Sequence, residues 1–150
     1  MRVYDVMVDY IISRLNTTGV TAEFLETDAD ANRKPYTSRF VVYYAGSEFN
    51  ESATGGIPDN FGIGKVVQSE YAHFGIVVQA KKLKGNNECY DLIQKAKDVL
   101  LGYSVPGIGS PLFFKEIKDN PENKDGIHSW LIVIGSRLSL IANLPAETVV

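Results

Sequence analysis

Apolar residues recur at Val3, Val6, Met7, Tyr10, Ile11 and Leu15, while Asp5, Asp9 and Ser13 fall off that side. This is the spacing of one face of an α-helix. Asn16 to Gly19 then supply a stop, with Gly19 suited to a positive φ. Val20, Ala22 and Phe24 alternate with Thr21, Glu23 and Leu25, which predicts a first strand. Glu26 to Pro35 is polar and reads as a loop. Ser38 to Ala45 carries β-branched and aromatic residues in both registers, so both sides of that strand should be covered and the strand should be central. Lys65 to Lys82 reads as one long strand. Ala72, Phe74, Ile76, Val78 and Ala80 line one side; Tyr71, His73, Gly75, Val77, Gln79 and Lys81 line the other.

Asn86 or Asn87 is placed to cap a second helix, with Cys89, Leu92, Ile93, Ala96, Val99, Leu100 and Tyr103 as its apolar stripe and Gly102 at its end. Leu112 to Ile117 and Ser129 to Ile141 are the last two strands. The order is α-β-β-β-α-β-β, an α+β fold. It predicts a four- or five-stranded, mostly antiparallel sheet with two helices on one face. The whole chain, 1–150, reads as a single domain with a long loop at 46–64 and a hairpin arm at 119–126. Two helices cover only one side of such a sheet, yet Phe40–Ala45 and Trp130–Ile134 are apolar on both. The second side therefore asks for another cover, most simply another subunit, or else remains a two-layer monomer with exposed tyrosines.

Composition narrows the choice of chemistry. The chain has 15 basic and 18 acidic residues, a formal charge of −3, so no global field draws it to nucleic acid or anionic lipid. Its single cysteine excludes an intrachain disulfide. Asp5 and Asp9 interrupt the N-terminal apolar stretch, and no run approaches the ~18 apolar residues of a membrane span. Action in the cytoplasm of the producing cell, away from membrane, is the resulting expectation.

No catalytic constellation emerges. Glu26, Asp28, Asp30 and Asn32 begin like a calcium loop, but Arg33 and Arg39 occupy the turn-glycine and bidentate-carboxylate positions. Gly62-Ile63-Gly64-Lys65 lacks the earlier glycine and the hydroxyl residue of a phosphate loop, and it leads into a strand. His73 and His128 lie on separate strands, a poor metal signal, and Cys89 belongs to a helix stripe. No cofactor is expected.

Several strings together carry a family likeness: YYAGSEF (Tyr43 to Phe49), FGIVVQAKKLKG (Phe74 to Gly85), CYDLIQKAKDVLLGYSVPG (Cys89 to Gly107), LFFKEI, and HSWLIVI (His128 to Ile134). In this order the chain resembles the Mu-like phage tail terminator family, whose fold is like that of the lambda-type tail terminator. Lys81 and Lys82 stand where that family often carries arginine. The resemblance implies a ring of six that binds the last ring of a tail tube, stops its growth and presents a surface to the neck. Its partners would be its own copies, the tail tube protein, and sheath and head-connector proteins, with DNA only as passing cargo. The location implied is the virion tail or neck, assembled in the host cytoplasm, with no turnover.

Tyr43, Tyr71, His73, Val77 and Trp130 are the candidates for the intersubunit or tube-facing sheet surface, because aromatics commonly anchor interfaces. Phe49 and Phe61 are the candidate loop anchors. Plain packing within the sheet or back onto the core is the competing reading for each. Another neck or tube component, or a small ligand-binding domain or enzyme, are the competing functions.

Overall fold

The computed structural model describes residues 2–25, 38–50, 65–108, 110–119 and 126–143, with only the backbone at 65–68 and 139–143. Among them are two helices and five strands: α1 (Val3–Asn16), β1 (Thr21–Phe24), β2 (Arg39–Phe49), β3 (Lys65–Ala80), α2 (Cys89–Leu100), β4 (Phe113–Asp119) and β5 (His128–Asn143). The strands form one sheet in the order β1-β2-β3-β5-β4. β1 runs parallel to β2; every other neighbouring pair is antiparallel. The α+β class, the element order and the mostly antiparallel sheet agree with the sequence pattern. Phe61, the polar stretch 26–37 and the hairpin tip 120–125 lie outside the described residues.

Both helices pack on one side of the sheet. Met7, Val8, Ile11 and Leu15 of α1 and Cys89, Leu92, Ala96 and Leu100 of α2 share one core with Phe40, Val42, Phe74, Ile76, Val78, Ile132 and Ile134. The buried side of α1 is turned from the expected one: Val8 is inside and Tyr10 is exposed. Two overlapping frames share Met7, Ile11 and Leu15. The one containing Tyr4 and Val8 prevails, because Tyr4 stacks on Tyr44 with ring centroids 4.0 Å apart. Its hydroxyl also donates to the buried Glu70 carboxylate, which accepts a second bond from Ser47 Oγ at 2.5 Å. The hydrogen bond to Glu70 is the main reason the Tyr4 hydroxyl is held well above the ordinary tyrosine range; its bond to Tyr44 and burial add to this.

α2 is capped differently from the expectation. Its N-cap is Glu88, without a side-chain cap, and Asn87 adopts a positive φ of 59°. The first helical amides are instead satisfied by the turn that follows β3: Cys89 N donates to Lys82 O and Tyr90 N to Leu83 O. Gly102 ends the helix with φ 78°, as expected of a C-terminal glycine. The thiol of Cys89 is buried and points to His128 O at 3.7 Å. Burial, aided by Glu88, pushes its pKa up to about 11, so it is a packing group and a poor nucleophile.

Two bulges decide which side chains face the helices. One lies between Tyr44 and Gly46 on β2, the other between Phe114 and Glu116 on β4. An extra residue reverses the alternation beyond it. On β4 this lets both Phe114 and Ile117 reach the helix-side core. On β2 the strand continues through Gly46 to Phe49, so the expected loop at 46–64 cannot begin at Gly46.

Candidate interaction surface

The side of the sheet away from the helices is built in rows set by the strand register. Arg39 pairs with Gln79, and Gln79 with Ser129; Val41 with Val77, and Val77 with Leu131; Tyr43 with Gly75, and Gly75 with Val133. The next rows join Gly46, His73, Gly135 and Phe113, then Glu48, Tyr71 and Arg137. Among the described residues, no helix or strand packs on this open side.

It is polar at one end. The buried Arg39 guanidinium donates to Gln79 Oε1 at 2.6 Å and to Glu23 Oε1 at 2.9 Å, which satisfies a charge that would otherwise be costly to desolvate. The middle is apolar. Val41 and Val77 are buried, while Leu131, Val133, Tyr43 and Tyr71 are half-buried and Phe113 is 38% exposed.

Two glycines shape that middle. A Cβ on Gly75 would lie 2.3 Å from the Tyr43 ring, and one on Gly135 would lie 2.6 Å from the Phe113 ring. Each ring lies over the neighbouring strand's backbone in the space a side chain would fill, an aromatic covering an otherwise bare glycine. Burial against this surface raises the Tyr43 hydroxyl pKa.

Beside these rings lies an ionisable group of three. Glu48 Oε1 is 3.1 Å from Lys115 Nζ and 3.9 Å from His73 Nε2. The ammonium of Lys115, with a smaller contribution from His73, holds the Glu48 carboxyl below its ordinary pKa. His73 is only 9% exposed, and neither ring nitrogen has a hydrogen-bond partner. Burial lowers its pKa, Lys115 lowers it further, and Glu48 opposes both.

The structure brings together four of the seven residues singled out from the sequence: Tyr43, Tyr71, His73 and Val77 share the open side. Trp130 does not join them. It pairs with Val78 on the helix side, where its ring meets Tyr90 of α2 edge-on at 5.9 Å. Its placement follows from the period of two, since Ile132 and Ile134 share that side. Phe49 also falls on the helix side, opposite Glu70, because the bulge after Tyr44 reverses the alternation; it is a strand residue, 50% exposed, and no loop anchor. Phe113, Lys115, Glu48 and the two glycines were missed. A glycine inside each apolar run, Gly75 and Gly135, was the signal that could have marked them. His73 and His128 stay apart, paired with Gly135 and Ala80 respectively. Among the described residues, no three His, Cys, Asp or Glu side chains gather where a metal ion could be held, and no helix is long and apolar enough to cross a membrane.

No protein-family model and no curated protein matches the chain. Among solved structures it is similar to a chain of one described as a virion of a native gene transfer agent (GTA) particle. The TM-score is 0.55 and the identity 13%, over 89% of this chain and 92% of that one. At that identity the likeness establishes a shared fold.

Gly75→Ala should push the Tyr43 ring off the sheet. In a double-mutant cycle on unfolding free energy, Gly75→Ala is expected to be less favourable beside Tyr43 than beside Tyr43→Ala by about 1 kcal/mol. Additive effects would contradict the ring-on-glycine packing. A second expectation follows from His73. Its folded pKa is depressed, so the unfolded chain takes up the proton more readily. Stability from this group is complete above the ordinary histidine value of about 6.5 and declines as the pH falls below it. Urea unfolding across that range should show the decline, and His73→Gln should flatten it; an unchanged slope would contradict the assignment.

Proposed function

We propose that the protein is a structural component of a phage-like particle: a ring-forming tail terminator that caps the tail tube, ends its polymerisation and forms the attachment surface for neck or sheath. The observation that carries this reading is the likeness of fold, nearly end to end in both chains, to a chain of a gene transfer agent virion. The tail-terminator resemblance of the strings between Tyr43 and Ile134 supplies the finer role.

The open sheet side suits such an assembly. It offers Tyr43, Tyr71, Phe113, Leu131 and Val133 to a neighbour, rimmed by Arg137, Glu116 and Lys118. An apolar centre with a polar rim is the usual anatomy of a protein–protein contact. A ring of identical subunits joins two different patches on each copy, so this side would be one of the two. The partners in this reading are further copies of the chain in a ring of six, the tail tube protein, and sheath or head-connector proteins. DNA passes through as cargo, and the −3 charge of each copy gives it no reason to adhere. Neither a cofactor nor turnover enters this reading.

The test is to add the purified protein to tail tubes growing from their own subunits, following length by light scattering and ends by electron microscopy. Growth should stop, and each arrested end should carry a ring of six. Tubes that keep lengthening would contradict the reading. Filaments formed by the pure protein alone would assign it to the tube itself.

A further inference from the structure

Three strands bring one carboxylate, one imidazole and one ammonium to a single spot. Glu48 comes from β2, His73 from β3 and Lys115 from the bulge of β4. Since β3 and β5 lie between β2 and β4, the Lys115–Glu48 pair bridges three interstrand spacings, about 14 Å of sheet. It is a strap across the open side. It crosses near the row where Gly135 pairs with His73, and the glycine leaves that row without a Cβ beside the imidazole.

The strap and the imidazole approach the same carboxylate oxygen. Lys115 Nζ is 3.1 Å from Glu48 Oε1, and His73 Nε2 is 3.9 Å from the same oxygen. A neutral imidazole leaves that oxygen to the ammonium. A protonated one gains a second N–H donor and a positive charge in a site nine-tenths buried, where its nitrogens have no other partner. The carboxylate needs to move only about 1 Å to reach hydrogen-bond distance. Among the described residues, the remaining titratable or charged groups on this side are Glu23 on β1, Arg39 and Tyr43 on β2, Tyr71 on β3, Arg137 on β5, and Glu116 and Lys118 on β4; Arg39 is three rows from His73 and is bound to Glu23 and Gln79. Arg137 is engaged with Ser69 Oγ at 3.1 Å, and the row positions place Glu116 and Lys118 beyond Phe113. None of these stands between His73 and Glu48.

We propose that Glu48, His73 and Lys115 form an acid-sensitive latch. With His73 neutral, Lys115 holds Glu48 and straps β4 to β2 across the open side. When His73 takes a proton from solvent, Glu48 turns to the imidazolium and Lys115 is released, so the edge of the sheet loses its strap. The latch belongs to the isolated chain and does not depend on what docks there.

The test is a nuclear magnetic resonance titration of the full chain between about pH 8 and pH 5, following the His73 ring and the Lys115 side chain. Both should report one common midpoint, below the ordinary histidine value. Lys115→Met should move the His73 midpoint up, by removing a like charge, and Glu48→Gln should move it down, by removing the acceptor. Both substitutions fall on exposed side chains, so the fold is retained. A Lys115 signal that stays flat through the His73 midpoint would overturn the latch, as would a midpoint that neither substitution moves.

Discussion

The antiparallel pairing of β3 with β5 places almost everything else in the molecule. It runs unbroken from Lys65 opposite Asn143 to Ala80 opposite His128. Because strand side chains alternate, this one register sends Phe74, Ile76, Val78, Ile132 and Ile134 toward the helices. It sends His73, Gly75, Val77, Val133 and Gly135 the other way. A slip of one residue would exchange the two sets and bury His73 and Arg137 beneath α1 and α2. The register also sets the two glycines among the open side's rows, which makes room for Tyr43 and Phe113 to lie down.

Two buried ionisable groups illustrate how burial is met on the two sides. Beneath α1, Glu70 is buried but receives hydrogen bonds from Tyr4 and Ser47, a closed network that ties the helix to the sheet. On the open side His73 is buried with neither nitrogen bonded. A satisfied group fixes a packing, whereas an unsatisfied one beside a shared carboxylate can change state.

Element order and class were legible in the sequence because period and punctuation are local. The 3.6-residue spacing of α2, the period of two in β3 and the glycine at 102 each act over a few residues. What escaped was set by contacts distant in the chain. The frame of α1 was ambiguous until Tyr4 met Glu70. The capping asparagines of α2 were bypassed because the turn after β3 offers the carbonyls of Lys82 and Leu83. The bulge at Ala45, marked locally only by the adjoining Gly46 with its positive φ, alone moves Phe49 to the helix side and Glu48 to the open side. Trp130 was misplaced for a different reason: its strand is apolar in both registers, so pattern alone could not say which side was which. Val77, Tyr71, His73 and Tyr43 were placed together because β3 alternates cleanly and Tyr43 precedes the bulge.

In the proposed reading, the open sheet side is buried against a neighbour once the protein is assembled into a phage-like particle. Hydroxyl-radical footprinting of the isolated chain and of the same chain within purified native particles tests it most directly. Tyr43, Tyr71 and Phe113 should be strongly protected in the particle, while Tyr10 and Tyr90 on the helix side keep more of their reactivity. Protection confined to the helix side, with Tyr43, Tyr71 and Phe113 as reactive as in the free chain, would contradict the account.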